Sequence, residues 1–547
     1  MAAHNHKEFL AGLATGAVGV SVIVGLKRLY DSMSDSFLKE GRNLKKGVRR
    51  LKILVCGGGN GAHCMAGVAG SHEEIDVKIL SLFEDEAERW SNILKSNFLT
   101  VYEPLVNGGH MEISTKPKIV TNDPEKAVEG VDIVFMVVPA FAHSQYLTAI
   151  APFIKPNTLI VGMPGQAGFE FQCINILGQK SSQLAIASFE SLPWACRVDD
   201  FGKHVQLIGF KDVLGMSVVT GKECNIPFPI VDTIQDIFGK KPAINLVQNY
   251  IAINLMAKSI IHPPLMYGTW SNWDGKPVRE KPLFYQGVDT KQANFLSKVS
   301  DECILTAKKI EKLRNNLKMK DVIHIFDWYK TYYHDEISDN SSLMMAMRTN
   351  AAYDGLLHPM KAVEGGFVPD FNYRYTREDI PFGLVVMKGI AELAGVATPT
   401  MDEIITWAQN KLGKEYLVNG KLIGKDLKEA RAPQSFGFTT LDDLASELSP
   451  DSSRASEVSP DSSRASKFSP GPYRASEFDS LIPPDHQFSP DSSRASELSP
   501  DSSRASEVCS DSSRASPGLS RASFLPPEHQ SLAPVLPGPP VPQSIRL

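Results

Sequence analysis

An apolar run that stops abruptly in glycines constrains this chain more than any other feature. Residues 51–62 read LKILVCGGGNGA, which places Gly57, Gly59 and Ala62 at G-x-G-x-x-A spacing directly after a strand-like segment. Gly57 suits the tight turn out of the strand, and Gly59 lets backbone N–H groups approach a pyrophosphate. Ala62 is small enough for the next helix to pack closely on a sheet. Asn60 and Gly61 complete the turn, and the helix that follows presents its positive N-terminus to the phosphates. Tight turns elsewhere use the same glycines, so the motif gains its meaning from context.

The context is a series of short apolar runs. Residues 75–83 (IDVKILSLF) read as a second strand, with Glu84 and Asp85 at its carboxyl end. A carboxylate there accepts hydrogen bonds from the adenosine ribose and repels a 2′-phosphate, so NAD is expected rather than NADP. The competing reading of Glu84 and Asp85 is capping of a helix over 85–90. Further runs at 131–139, 158–162 and 184–188 are separated by helix-compatible stretches. The expected fold class is α/β, with an N-terminal Rossmann-type doubly wound parallel sheet over 51–247. An all-α C-terminal substrate domain over 248–440 is expected to follow it.

The chain's 547 residues have room for two or three domains, and its 42% apolar and 22% charged content is ordinary for a globular enzyme. A net charge of −5 without a basic, aromatic-interleaved patch excludes nucleic acid as an expected partner. The seven cysteines are scattered without metal-ligand spacing, which points to free thiols, no metal and a cytoplasmic catalytic domain. The two ends differ from this average. Residues 9–26 are uncharged and followed by Lys27, Arg28 and a basic linker to residue 50, as in an N-terminal membrane anchor with the enzyme facing the cytosol. A buried or surface-lying helix is the alternative. Residues 447–547 repeat SPDSSRASE-like decamers, beginning at Ser449, Ser459, Ser489 and Ser499, and are expected to be disordered.

From about Gln248 the apolar spacing becomes helical, over 254–261, 290–315, 380–393 and 401–412. His262 stands where Pro263 is expected to stop the first of these helices. A histidine there is a candidate proton donor, or a last-turn residue favourable to the helix dipole. Asp379, just before Pro381, is either a helix cap or the carboxylate that orients a histidine. Arg374 is placed to clamp a substrate carboxylate.

Together, segments 55–63 (VCGGGNGAH), 163–170 (MPGQAGFE), 189–197 (FESLPWACR), 261–264 (IHPP), 374–383 (RYTREDIPFG) and 389–395 (GIAELAG) resemble octopine dehydrogenase and the invertebrate opine dehydrogenases. The resemblance spans roughly residues 51–432. It implies a two-domain NADH enzyme that condenses pyruvate with an amino acid and reduces the resulting imine. Carried over residue by residue, His262 is the catalytic histidine, Asp379 its partner and Arg374 the 2-oxo acid arginine. Gln166 and Ser191 contact pyruvate, while Glu190 and Trp328 line the amino-acid pocket. Lys258 departs from the tyrosine expected nearby and argues against arginine as the amine donor, leaving alanine, glycine or taurine open. Two rival readings are a simple NAD-dependent 2-oxo acid reductase and a membrane-tethered, inactive NAD-binding sensor or scaffold.

Overall fold

The computed structural model describes residues 50–447, apart from 106–108 and 335. The anchor expected at 9–26 and the repeats at 448–547 lie outside the described residues. No helix among those described is long and apolar enough to cross a membrane.

Leu51–Cys56 is the organising strand. Ile53, Leu54, Val55 and Cys56 are all fully buried, which requires cover on both faces. Alternation divides them: Ile53 and Val55 join one core with Ala62 and Met65 of the following helix, while Leu54 and Cys56 join another with Leu147 and Phe169. The strand pairs in parallel with Ile75–Leu80 on one side and Ile133–Met136 on the other. Sheet growth therefore reverses direction at Leu51–Cys56, and its carboxyl end opens into the crevice where doubly wound sheets bind ligands.

The full order across the eight-stranded sheet is Ala243–Leu246, Val213–Thr220, Ala185–Phe189, Leu159–Gly162, Ile133–Met136, Leu51–Cys56, Ile75–Leu80 and Ile119–Thr121. The sheet is not parallel throughout. Val213–Thr220 runs antiparallel to Ala185–Phe189, because the chain reaches it through a β-hairpin rather than a crossover helix. That hairpin, Trp194–Asp200 with His204–Phe210, joins Leu99–Pro104 and His110–Thr115 in a second, four-stranded sheet. The second sheet covers the helix Asn60–Gly70, with Val101 and Thr115 pressed against Gly67 and Gly70, where side chains would collide.

After Leu246 the chain turns helical, as the spacing predicts, and builds a separate core around Leu265, Leu296, Ile310, Met387 and Ile404. Residues 290–315 form Thr290–Leu313, started by a reciprocal capping box between Asp289 and Gln292. Residues 401–412 lie in Pro399–Leu412. One small hairpin, Met360–Val363 with Gly366–Pro369, interrupts the otherwise helical architecture.

His262 begins a helix instead of ending one. The helix expected over 254–261 is Tyr250–Leu255 followed by a short 3-10 turn at Lys258–Ile260, and a new helix, His262–Trp270, begins at the histidine itself. Pro263 and Pro264 occupy the first turn, where a missing N–H costs no intrahelical bond, so they mark a start rather than a stop. His262 thus has no C-terminal dipole to favour it.

Candidate active site

The glycine turn has the backbone that a dinucleotide needs. Gly57 adopts φ +120°, and a Cβ there would stand 2.6 Å from the Val137 carbonyl oxygen and 2.8 Å from Val138 Cγ1. Gly59 precedes the helix Asn60–Gly70 without a capping side chain, as suits a helix start that receives a phosphate. The second sheet holds the turn from behind. Val198 N–H donates to Asn60 Oδ1 at 2.8 Å, and Gly202 N–H donates to His63 Nε2 at 2.9 Å. His63 Nε2 therefore carries the lone pair, and Nδ1–H donates to the Gly59 carbonyl at 3.0 Å. Its ring lies flat on Trp90 at 3.8 Å, and burial pushes its pKa down to about 4, so it stays neutral. The turn fits a pyrophosphate.

The acidic residues at the end of the second strand divide differently from expectation. Glu84 is exposed with φ +42°, and Asp85 is exposed and paired with Arg89 at 3.5 Å. Asp85 precedes the helix Glu86–Leu94 but makes no side-chain cap. The carboxylate that meets the glycine turn is Glu86, which lies against Gly58 and accepts from Ser81 Oγ at 2.7 Å. Burial holds its carboxyl above the usual range. Glu86 follows Asp85 directly, and no local pattern distinguishes it from its two acidic neighbours.

In the helical domain the expected residues meet. His262 Nδ1 lies 2.5 Å from Asp379 Oδ2, and both side chains are 2% exposed. Asp379 does not cap its helix. Instead it leads into a wide i→i+5 turn, Ile380–Leu384, whose Gly383 packs against Ser259 just before His262. That contact brings together residues 117 positions apart in the chain. Tyr375 stacks on the His262 ring at 3.8 Å, and the Tyr285 hydroxyl lies 2.8 Å from Nε2. Tyr285 carried no recognisable signal in sequence.

Arg374 lies one turn before Asp379, on the same segment. Its Nε is 3.5 Å from Glu378 Oε2, while Glu378 Oε1 accepts from the Ala140 N–H at 2.9 Å. Ala140 begins a helix of the dinucleotide domain, so Glu378 ties Arg374 to the crevice wall. Burial raises the Glu378 pKa against the pull of Arg374.

The remaining site candidates lie in two loops of the sheet domain and on the helix Ile325–Tyr332. Gln166 sits in a loop with φ +57°, and its buried Oε1 has no hydrogen-bond partner. The Gly165 N–H donates to the Phe189 carbonyl at 3.1 Å, which sets this loop beside Glu190 and Ser191, both buried. Glu190 Oε1 accepts from the Gly215 N–H at 2.9 Å, and its carboxylate also engages the Tyr332 hydroxyl. Tyr332 stacks on Trp328 at 4.8 Å, and the buried Trp328 Nε1 makes no hydrogen bond. Orphaned polar atoms at Gln166 and Trp328 are what a polar substrate would satisfy. Packed aromatics link Trp328 to the histidine. Tyr285 stacks on Tyr353 at 3.9 Å, the Tyr353 hydroxyl reaches that of Tyr329 at 3.3 Å, and Tyr329 contacts Trp328.

A dinucleotide turn in the sheet domain and a carboxylate-supported histidine with an arginine one turn away in the helical domain define the class, a two-domain NAD-dependent oxidoreductase. Residues 246–412 match the family model described as NAD/NADP octopine/nopaline dehydrogenase, alpha-helical domain. The opine dehydrogenase of Haliotis discus hannai is 49% identical over 402 residues, covering 73% of this chain and 99% of that protein. The tauropine dehydrogenase of Arabella iricolor is 45% identical, covering 72% and 99%. A solved octopine dehydrogenase in complex with NADH and agmatine superposes with TM-score 0.70 at 46% identity, over 72% of this chain and 97% of that one. The chain belongs to the octopine and opine dehydrogenase family.

Proposed function

We propose that this chain joins pyruvate to an amino acid through an imine and reduces that imine to a secondary amine dicarboxylate. The observation that supports this most is the buried His262–Asp379 pair with Arg374 one turn away. Bound at the glycine turn, NADH supplies the hydride. The chain's own residues position and move protons. Arg374, Gln166 and Ser191 hold the 2-oxo acid with its C2 toward the nicotinamide, a contribution of orientation. His262, its Nδ1 proton fixed by Asp379, gives the Nε2 proton to the oxygen that leaves as water. Glu190 and Trp328 line the space for the amine donor.

The donor itself is open to direct assay. Lys258 disfavours arginine, and the family includes both octopine and tauropine enzymes. NADH oxidation by the purified chain with pyruvate is expected to require an added amine from a panel of arginine, alanine, glycine and taurine. Equal oxidation with pyruvate alone would replace this reading with that of a 2-oxo acid reductase.

Glu86 is assigned the ribose. Its carboxylate against Gly58 supports this reading, because a carboxylate beside the glycine turn repels a 2′-phosphate. Glu86→Ser is expected to narrow the NADH-over-NADPH preference in kcat/KM by ~10-fold, about 1.4 kcal/mol. An unchanged ratio returns the role to Glu84 or Asp85. A cytosolic catalytic domain and membrane attachment through residues 9–26 are read from sequence alone. Flotation of the full chain with liposomes, lost on deleting 9–26, checks the attachment.

A further inference from the structure

His262 has two ring nitrogens, and the structure assigns both. Asp379 is acceptor-only as a carboxylate, so Nδ1 keeps its proton and every change of protonation falls on Nε2. Nε2 has one in-plane position for a hydrogen bond, and the Tyr285 hydroxyl lies there at 2.8 Å. A substrate oxygen that approaches Nε2 must take that position, and in doing so it comes within reach of the displaced hydroxyl.

We propose that Tyr285 is a further catalytic residue, whose hydroxyl hydrogen-bonds the substrate oxygen while His262 protonates it and then takes over the vacated Nε2. This rests on the reaction proposed above. In the carbinolamine, the C–O bonding pair leaves to oxygen, which accepts the Nε2 proton and departs as water, while the nitrogen lone pair closes the C=N bond. The neutral imidazole is then left with a bare lone pair in a site that is 2% exposed. Tyr285 supplies a donor there, and before the transfer the same oxygen serves as an acceptor. A hydroxyl can play both parts; a carboxylate or an ammonium cannot. Leaving a buried nitrogen unpaired in either state would cost its full desolvation.

The geometry around Tyr285 keeps the hydroxyl on station. Its ring stacks on Tyr353 at 3.9 Å with planes 17° apart, and it is 1% exposed. Its neighbour Phe284 donates its N–H to the Leu356 carbonyl at 2.7 Å, and His358 donates to the Pro282 carbonyl at 2.9 Å. These two bonds fix the segment that leads into the tyrosine. Phe284 also packs on the His262 ring, at 5.7 Å between centroids.

The test is Tyr285→Phe in the full chain, which retains the stacked ring and removes only the oxygen. With NADH, pyruvate and the best amine of the panel, kcat is expected to fall ~10- to 100-fold, KM for NADH to stay within about twofold, and the solvent deuterium isotope effect on kcat to rise. Should Tyr285→Phe not fold, 3-fluorotyrosine at position 285 changes the hydroxyl's acidity at nearly constant volume and is expected to alter kcat without altering KM for NADH. Unchanged kcat and isotope effect in whichever variant folds would overturn the proposal. Wild-type chain forming no secondary amine product would instead overturn the reaction on which it rests.

Discussion

Replacing His262 with alanine is expected to lower kcat by at least ~10²-fold while NADH affinity stays nearly intact. The separation follows from where the two functions reside. His262 stands at the start of its own helix, buried against Asp379, Tyr285 and Tyr375 in the helical domain. The glycine turn is built and braced by the sheet domain, through Val198 and Gly202. Loss of the imidazole therefore removes the proton donor without disturbing the nucleotide site. It also leaves the Asp379 carboxylate buried without its partner, so some loss of thermal stability is expected alongside, on the order of 1–3 kcal/mol. Stopped-flow NADH binding and steady-state turnover separate the two effects, and unchanged turnover would remove His262 from the mechanism.

Gly57→Val should produce the opposite pattern. Position 57 requires φ +120°, which side-chain-bearing residues rarely adopt, and the new Cβ would meet the Val137 carbonyl oxygen at 2.6 Å. Neither neighbour is a flexible tip: one is backbone of the adjoining strand's end, the other a β-branched side chain. The strain is ~1–3 kcal/mol before any clash is counted. The turn can relieve it only by moving out of the strand's line, and that displaces the N–H groups of Gly59 and Asn60. NADH affinity is expected to fall at least ~10²-fold, read by quenching or by calorimetry, with circular dichroism confirming that the sheet persists. Binding within about twofold of wild type would show that the cofactor does not use this turn.

Much of this arrangement was legible in the chain. Strands buried on both faces announce themselves as continuous apolar runs, so the sheet around Leu51–Cys56 was readable together with its glycine turn. The reversed strand Val213–Thr220 was not, because strand direction is set by how the chain returns and leaves no mark on the strand's own composition. The prolines after His262 are ambiguous for a related reason. Proline opposes helix interiors and is welcome in first turns, so Pro263 alone fits an end or a beginning, and tertiary packing decides.

The site was legible to the extent that its residues fall within motifs. His262, Asp379 and Arg374 each have local chemistry that suggests a role, the family resemblance joins them into one site, and the structure brings His262 onto Asp379. Their convergence depends on Gly383 packing against Ser259, a contact between distant segments that no local pattern encodes. Tyr285 and Glu378 act through similar long-range contacts, to His262 and to the Ala140 N–H. Glu86 is hidden for a different reason: it lies past the end of the strand, in the first turn of the next helix, where its carboxylate turns back over Gly58.

The central claim is that hydride reaches a carbon already joined to an amine, and mass spectrometry of the product formed from NADH deuterated at the transferred position tests it most directly. With pyruvate and a competent amino acid, the account predicts a secondary amine dicarboxylate carrying a single deuterium on the former pyruvate C2. Deuterated lactate, formed at the same rate with or without the amino acid, would contradict it.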